Sequence, residues 1–432
     1  MAGSITPEGY LPRVVDAQVE RLLGVFGAVE IAGPKWCGKT WTALCHGASA
    51  SYVDESLDMA RADPSLMLLG ERPHVIDEWQ RVPAIWDAVR RGVDRESGCR
   101  GAWILTGSST PLPRDGERPV HSGAGRIGRV CMRPMSLYES GESTGEVSLA
   151  GLFEGRFAPC KVESDTVGLA GLVCRGGWPE AAGLSAADAQ LVARDYLRLA
   201  CSEGVASQGM DADVARRLVR SVARNLGQAT TYQTFLSDMY GAEEHPEQLL
   251  SAPALASYLT LLGDLYLIEE VPGWVPAARS RKRMATKPKR YLADPSLAAA
   301  ALGMGPEQVL ADWQTFGLLF ESLCMRDLAV YADALEGSAG EGLRYYRDDS
   351  RLEADAIIEL ADGRWAAFEV KLSEDKVPQG VESLKRLRRK LTENARARMR
   401  GPEFMAVVVG ISQYAREVEE GIYVIPVRAL GA

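Results

Sequence analysis

Paired cysteines are missing from this sequence. Its eight cysteines, at 37, 45, 99, 131, 160, 174, 201 and 324, never fall in a CxxC spacing, and its four histidines form no cluster with them. That pattern excludes a structural zinc site and fits a reducing compartment. A basic leader followed by an apolar stretch is missing too, as is any apolar run of about eighteen residues. The expectation is a soluble, cytoplasmic protein without a membrane partner. Basic charge is in deficit, with 49 Lys and Arg against 58 Asp and Glu and a net charge of −9. Such a balance excludes a surface coated in nucleic-acid-binding charge, although it can conceal local patches.

The chain has 432 residues, 46% of them hydrophobic, too many for one ordinary core, so two or three domains are expected. In the N-terminal part, short apolar runs (Ala28–Ala32, Pro73–Ile76, Ala102–Thr106) alternate with helical stretches such as Lys39–His46 and Ala84–Val93. This alternation predicts a parallel sheet covered by helices. From about Leu191 to Leu262 the pattern is helical, with Val214, Leu218, Val219 and Val222 on one face and Leu255, Tyr258, Leu259 and Leu262 on another. Leu265–Val271 and Arg290–Ala293 then read as a two-stranded ribbon with a basic tip, the pattern of a winged helix. A third α/β unit follows Pro306. The expected boundaries are 1–205, 206–304 and 305–432.

Gly33, Pro34, Lys35, Trp36, Cys37, Gly38, Lys39 and Thr40 spell GxxxxGK[ST] between an apolar run and a helical stretch. The glycines let backbone N–H groups approach a β-phosphate, and the helix N-terminus favours the anion. Lys39 neutralises the β/γ oxygens, and Thr40 is placed to ligate Mg²⁺. ATP and Mg²⁺ are the cofactors this predicts. Val75-Ile76-Asp77-Glu78 adds a strand ending in two acids: Asp77 would hold Mg²⁺, and Glu78 would polarise the attacking water. A third apolar strand runs into Thr106-Gly107-Ser108-Ser109, polar groups suited to reading a γ-phosphate. Arg126 and Arg129 are candidate arginine fingers, acting in cis or from a neighbouring copy in a homo-oligomer.

In the C-terminal part, Asp355, Glu369 and Lys371 fit D…ExK, in which two carboxylates hold Mg²⁺ and a lysine activates water. A three-residue loop ending in a left-handed Gly363 would pair Leu360 with Arg364, Asp355 with Glu369 and Glu353 with Lys371. Ala354, Ala356, Ile358, Leu360, Ala366, Phe368, Val370 and Leu372 would then share an apolar face, with the charged residues gathered opposite. Glu321 borders the apolar stripe of a preceding helix as a further acid. A cross-strand ion-pair network is the plainer reading of the same residues. Arg279–Arg290 carries seven basic residues and no acid, and Lys385–Arg400 carries eight and one acid. Both are candidate DNA contacts.

GPKWCGKT, HVIDEWQRVP, WILTGSS, GRIGRVCMRPMSLYE and RGGWPEA, in that order, resemble the AAA-like P-loop ATPases of the AAA_14 and DUF4143 type. TLLGDLYLIEEVP, KRYLADPSL, GLLFESL and YYRDDSRLEADAIIEL are similar to their C-terminal region. The resemblance implies an α/β AAA-type core, a winged-helix unit and a restriction-endonuclease-like fold of the PD-(D/E)xK kind. Lys35 and Trp36 depart from it, standing where such loops often read Arg and a small or polar residue, as does Trp41 after the Thr. The function expected is an ATPase that couples nucleotide state to DNA binding or processing. The alternatives are a nucleotide-controlled switch or scaffold without cleavage, and a protein-remodelling ATPase.

Overall fold

A computed structural model describes residues 5–109, 122–241, 250–275, 287–337, 342–393 and 400–432. Strands β1 (Ala28–Ala32), β2 (Ser49–Tyr52), β3 (His74–Asp77), β4 (Trp103–Gly107) and β5 (Ile127–Cys131) form a five-stranded sheet in the order β2-β3-β4-β1-β5. Every pairing in it is parallel. The central strands β1 and β4 are buried along their whole length, because helices cover both faces of a parallel sheet. Alternate residues feed two cores. Val29, Ile31, Val75 and Ile104 face one; Ala28, Ile76, Trp103 and Leu105 face the other, with Ile85 and Val89 of the helix Ala84–Arg95.

Strands β6 (Val147–Ser148) and β7 (Cys160–Lys161) belong in space with the C-terminal part. β7 pairs with the strand Tyr414–Glu419, and β6 pairs with the last strand, Leu430–Gly431. A helix at Ala186–Leu199 runs on into a π-helical segment, Ala200–Val205. Helices Ala212–Arg224, Tyr232–Tyr240 and Ala252–Asp264 follow, then an antiparallel ribbon of β8 (Ile268–Val271) and β9 (Lys289–Leu292). Leu218, Val219, Val222, Leu255, Tyr258, Leu259 and Leu262 are buried, as their helical spacing predicts.

After the helix Trp313–Ala334 come β10 (Arg344–Arg347), β11 (Glu353–Glu359), β12 (Trp365–Ser373), β13 (Phe404–Ile411), β14 (Tyr414–Glu419), β15 (Ile422–Pro426) and β16 (Leu430–Gly431). The mixed sheet runs β10-β11-β12-β13-β15-β14-β7. At the β11–β12 turn, Leu360 N–H donates to the Arg364 carbonyl at 2.8 Å and Gly363 takes φ +82°. Glu359 pairs with Trp365 and Ala356 with Phe368, the register expected from the alternation. Two details differ. β10 meets Ala354 and Ile357 across a bulge, with Glu353 opposite Arg347 on that side, while the β11–β12 pairs end at Ala356–Phe368, short of Asp355 and Glu353. That same irregularity puts Ala354 into a second core with Ile357, Trp365 and Ala367, so apolar residues cover both faces of the hairpin beyond its charged end.

Candidate functional site

β1 delivers the phosphate loop, and its geometry demands glycine at two positions. Gly33 has φ +155°, and a Cβ there would stand 2.1 Å from the Met132 carbonyl. Gly38 has φ +103° and starts the helix Lys39–His46. Trp36 also takes a positive φ, 64°, with its ring edge-on to Tyr196 at 5.4 Å. Lys39 is buried and its Nζ donates to the Pro34 carbonyl at 2.7 Å. Arg13 braces the loop from outside: one Nη donates to the Cys37 carbonyl at 2.7 Å and the other to the Arg133 carbonyl at 2.8 Å.

β3 ends beside this loop. Thr40 Oγ1 donates to Asp77 Oδ1 at 2.8 Å, and Thr106 Oγ1, at the end of β4, donates to the same oxygen at 2.5 Å. Burial pushes the Asp77 carboxyl up, against these two hydrogen bonds. Glu78 follows at φ +57°, and its Oε2 accepts from Gln80 Nε2 at 2.6 Å and Ser108 Oγ at 3.0 Å. Lys39, Thr40, Asp77, Glu78, Thr106 and Ser108 are thus brought together at the C-terminal ends of three parallel strands. A cleft of about 740 Å³ opens there, lined among others by Lys35, Trp36, Lys39, Thr40, Trp41 and Glu78, a size suited to a small ligand. The Thr40 hydroxyl and the Asp77 carboxylate are hard oxygen donors on one side of it, a set that suits Mg²⁺ carried in on phosphates.

Arg81 is a cleft residue that motif matching missed: it lines this cleft, exposed, at the end of the short turn Trp79–Arg81. The expected fingers lie elsewhere. Arg126 precedes β5 at the sheet's opposite end and pairs with Asp94 at 2.8 Å. Arg129 pairs with Glu30 at 3.2 Å and donates to Tyr266 Oη at 2.6 Å. Neither faces the phosphate loop of its own chain, so the cis-finger expectation is corrected.

A second cluster sits at the charged end of the β11–β12 hairpin. Asp355 Oδ2 accepts from the Val370 N–H at 2.8 Å. Glu369 takes the Lys371 ammonium at 2.5 Å and the Ser383 hydroxyl at 2.8 Å. Lys289, from β9, reaches in from the other side: its Nζ is 2.7 Å from Glu353, 3.6 Å from Glu321 and 3.8 Å from Asp355. Tyr291 Oη donates to Glu321 at 2.7 Å. Burial and the Asp355 charge push Glu321 and Glu369 each up to about 7, against Lys289 on one and Lys371 on the other. For Lys289, burial favours the neutral amine, but the surrounding carboxylates outweigh it and hold the ammonium.

Asp355, Glu369 and Lys371 therefore meet as expected, yet the proposed metal set does not. Among the described residues no group of three or more His, Cys, Asp or Glu side chains is arranged to hold a metal ion. The physical reason is the lysines: Lys289 stands between Glu321 and Asp355, and Lys371 bridges Asp355 and Glu369.

The basic patches are only partly described. Of Arg279–Arg290, positions 279–286 lie outside the described residues; at the described end Lys287 is exposed, while Lys289 and Arg290 are buried. Lys289 is spent in the acidic cluster, and Arg290 pairs with Glu270 at 2.7 Å. Of Lys385–Arg400, positions 394–399 lie outside. Lys385 pairs with Glu419 at 2.7 Å and Lys390 with Asp348, while Arg386 and Arg389 are exposed beside the acidic cleft.

Residues 26–141 match a family model described as an AAA domain, and 316–430 match a domain of unknown function, DUF4143. The N-terminal match is to an AAA domain and the C-terminal one to DUF4143, each over about a quarter of the chain. Residues 168–308 match a further domain of unknown function, DUF8612. The stretch that matches the AAA domain carries the phosphate-loop site and the five-stranded parallel sheet. Among solved structures, the chain is similar to a Walker-type ATPase of Pyrococcus abyssi at 13% identity and TM-score 0.42, over 69% of this chain and 97% of that one. No curated protein sequence matches the chain. Among the described residues no helix is long and apolar enough to cross a membrane.

Proposed function

We propose that the AAA domain binds Mg²⁺-ATP at the phosphate loop, hydrolyses it, and uses the nucleotide state to control DNA contact by the regions behind it. The hydrogen bond from Thr40 to Asp77 carries this reading: it closes the loop onto the acidic strand end where nucleotide and cation would meet. When bound, the ion supplies charge neutralisation on the β and γ oxygens. The Lys39 ammonium exchanges the Pro34 carbonyl for phosphate oxygens. Glu78, oriented by Gln80 and Ser108, holds the attacking water, and Thr106 fixes Asp77 from behind. Arg81 takes the part first given to Arg126 and Arg129, contacting the terminal phosphate from within the same chain.

DNA contact is supported by two exposed arginines on the helix Val377–Thr392: Arg386, at the rim of the acidic cleft, and Arg389, in the adjoining hollow that Arg386 also lines. Gel shifts of linear DNA with the full chain, run with ADP, with a non-hydrolysable ATP analogue and without nucleotide, test the coupling. Affinity should differ between the nucleotide states, weaken steeply with salt and fall in Arg386→Ala/Arg389→Ala. Equal affinity in every state would sink the coupling, and salt-insensitive failure to bind DNA would favour the protein-remodelling alternative. A nuclease is the second reading, favoured by the meeting of Asp355, Glu369 and Lys371 at one cleft of about 260 Å³. In the described arrangement its acids are ion-paired with lysines, and no cleavage step is derived from it.

A further inference from the structure

The acids of the C-terminal cleft come from one part of the chain, but one of their counter-charges comes from another. Glu321 lies on the helix Trp313–Ala334, Glu353 and Asp355 on β11, and Glu369 on β12. Lys371, also on β12, serves Glu369 and reaches Asp355 at 3.8 Å. Lys289 belongs to β9, the returning strand of the ribbon within residues 168–308. It is 4% exposed, and its ammonium is held among three carboxylates. Two strand residues on, Tyr291 binds one of the same acids. The ring of Tyr345 lies 5.3 Å from the ammonium, so nothing about the placement is a loose surface contact.

A lysine ammonium among Glu321, Glu353 and Asp355 occupies the kind of place a hard cation takes: several carboxylate oxygens around one buried positive charge. Four acids face two lysines in the cleft. Taking one lysine away enlarges the buried excess of acid, which is offset either by protons on the carboxylates or by another cation.

We propose that Lys289 is the resident cation of the DUF4143 cleft, a tethered charge lent by the neighbouring ribbon that excludes a divalent ion from the space between Glu321, Glu353 and Asp355. The ribbon thereby decides whether the cleft is open to metal. With β9 seated, the cleft is an ion-paired module; with Lys289 withdrawn, the same acids are a hard-oxygen site. This rests on the acidic cleft alone, not on DNA cleavage, so it can stand where the nuclease reading falls.

The test is Mn²⁺ binding to the full chain without nucleotide, followed by calorimetry and by the loss of the free-ion electron paramagnetic resonance signal. Lys289→Met should bind Mn²⁺ at least tenfold more tightly than wild type, and Mn²⁺ should raise its melting temperature more than that of wild type. Adding Asp355→Asn should abolish the gain, and Lys289→Arg should behave as wild type. Should Lys289→Met fail to fold, Lys289→Gln, which keeps a polar head on the strand, is read in the same way. A folded Lys289→Met or Lys289→Gln chain whose Mn²⁺ affinity equals that of wild type overturns the proposal. So does a wild-type chain that already binds Mn²⁺ as tightly as the variant through Glu321 and Asp355. Binding without any DNA cutting would leave the proposal standing and remove the nuclease.

Discussion

Arg133 Nε donates to Glu269 at 2.9 Å while its Nη1 donates to Asp333. One guanidinium just past the AAA sheet thus holds both the β8–β9 ribbon and the long helix of the DUF4143 region. Its own carbonyl takes Arg13, which in turn holds the Cys37 carbonyl of the phosphate loop. Arg133→Met would leave two half-buried carboxylates without their partner. We expect a loss of about 1–2 kcal/mol, between the ranges for exposed and for buried ion pairs, seen as a lower melting temperature of the full chain. A melting temperature equal to wild type would show that the junction contributes nothing.

Gly33→Ala should remove nucleotide binding. Its Cβ would lie 2.1 Å from the Met132 carbonyl, which is backbone and cannot step aside. Gly171→Ala is the matched control: it lies in the helix Thr166–Arg175 with nothing within 4 Å of the added atom. That change should leave binding intact and add up to about 1 kcal/mol through helix propensity. Fluorescent-nucleotide titration separates them, and unaltered affinity in Gly33→Ala would mean the loop is not built as described.

Arg81→Ala should lower the ATP turnover number by about a hundredfold or more, as expected for an arginine that stabilises charge on the transferred phosphoryl group. ADP affinity should stay within about twofold of wild type, because the contact is to the terminal phosphate. Arg126→Ala, at the far end of the sheet, should not change turnover. Steady-state hydrolysis and ADP titration decide the matter, and an equal loss in ADP binding would make Arg81 a general nucleotide contact.

The described register of the hairpin could be read from alternation alone: a one-residue slip would have scrambled the faces of Ala356, Ile358, Ala366 and Phe368. The phosphate loop, Asp77, Glu78 and Thr106 were legible for a similar reason, since each ends a short apolar strand of a parallel sheet. Lys289 was not. Within its own segment it is one basic residue among seven, and only the packing of β9 against the later hairpin turns it inward. Arg126 misled because a strand's direction in the sheet, not its composition, decides which end a side chain occupies, whereas Arg129 sits in the middle of β5 and is taken by Glu30 and Tyr266. Ala354 was misplaced by the bulge against β10, which has no signature in the alternation.

His74 makes the five-stranded sheet sensitive to acid. It opens β3, three residues before Asp77, and is buried against Ser49, Ser51 and the Met67 carbonyl. Burial pushes its imidazole below the usual value, against the Met67 hydrogen bond. The unfolded chain then binds the proton more readily, so the contribution to stability is full above about pH 6.5 and is lost as the pH falls below it. Melting temperatures from pH 7.5 down to 5.5 should fall in wild type and fall less steeply in His74→Asn. Parallel profiles would assign the acid sensitivity to other groups.

The most direct test of the phosphate-loop account is one titration of Mg²⁺-ATP, with hydrolysis measured in the same samples, for wild type, Lys39→Ala and Glu78→Gln. Wild type should bind and hydrolyse; Lys39→Ala should lose binding; Glu78→Gln should bind as wild type with turnover reduced by about a hundredfold or more. Undiminished hydrolysis in Glu78→Gln, or ATP bound equally well by Lys39→Ala, would contradict it.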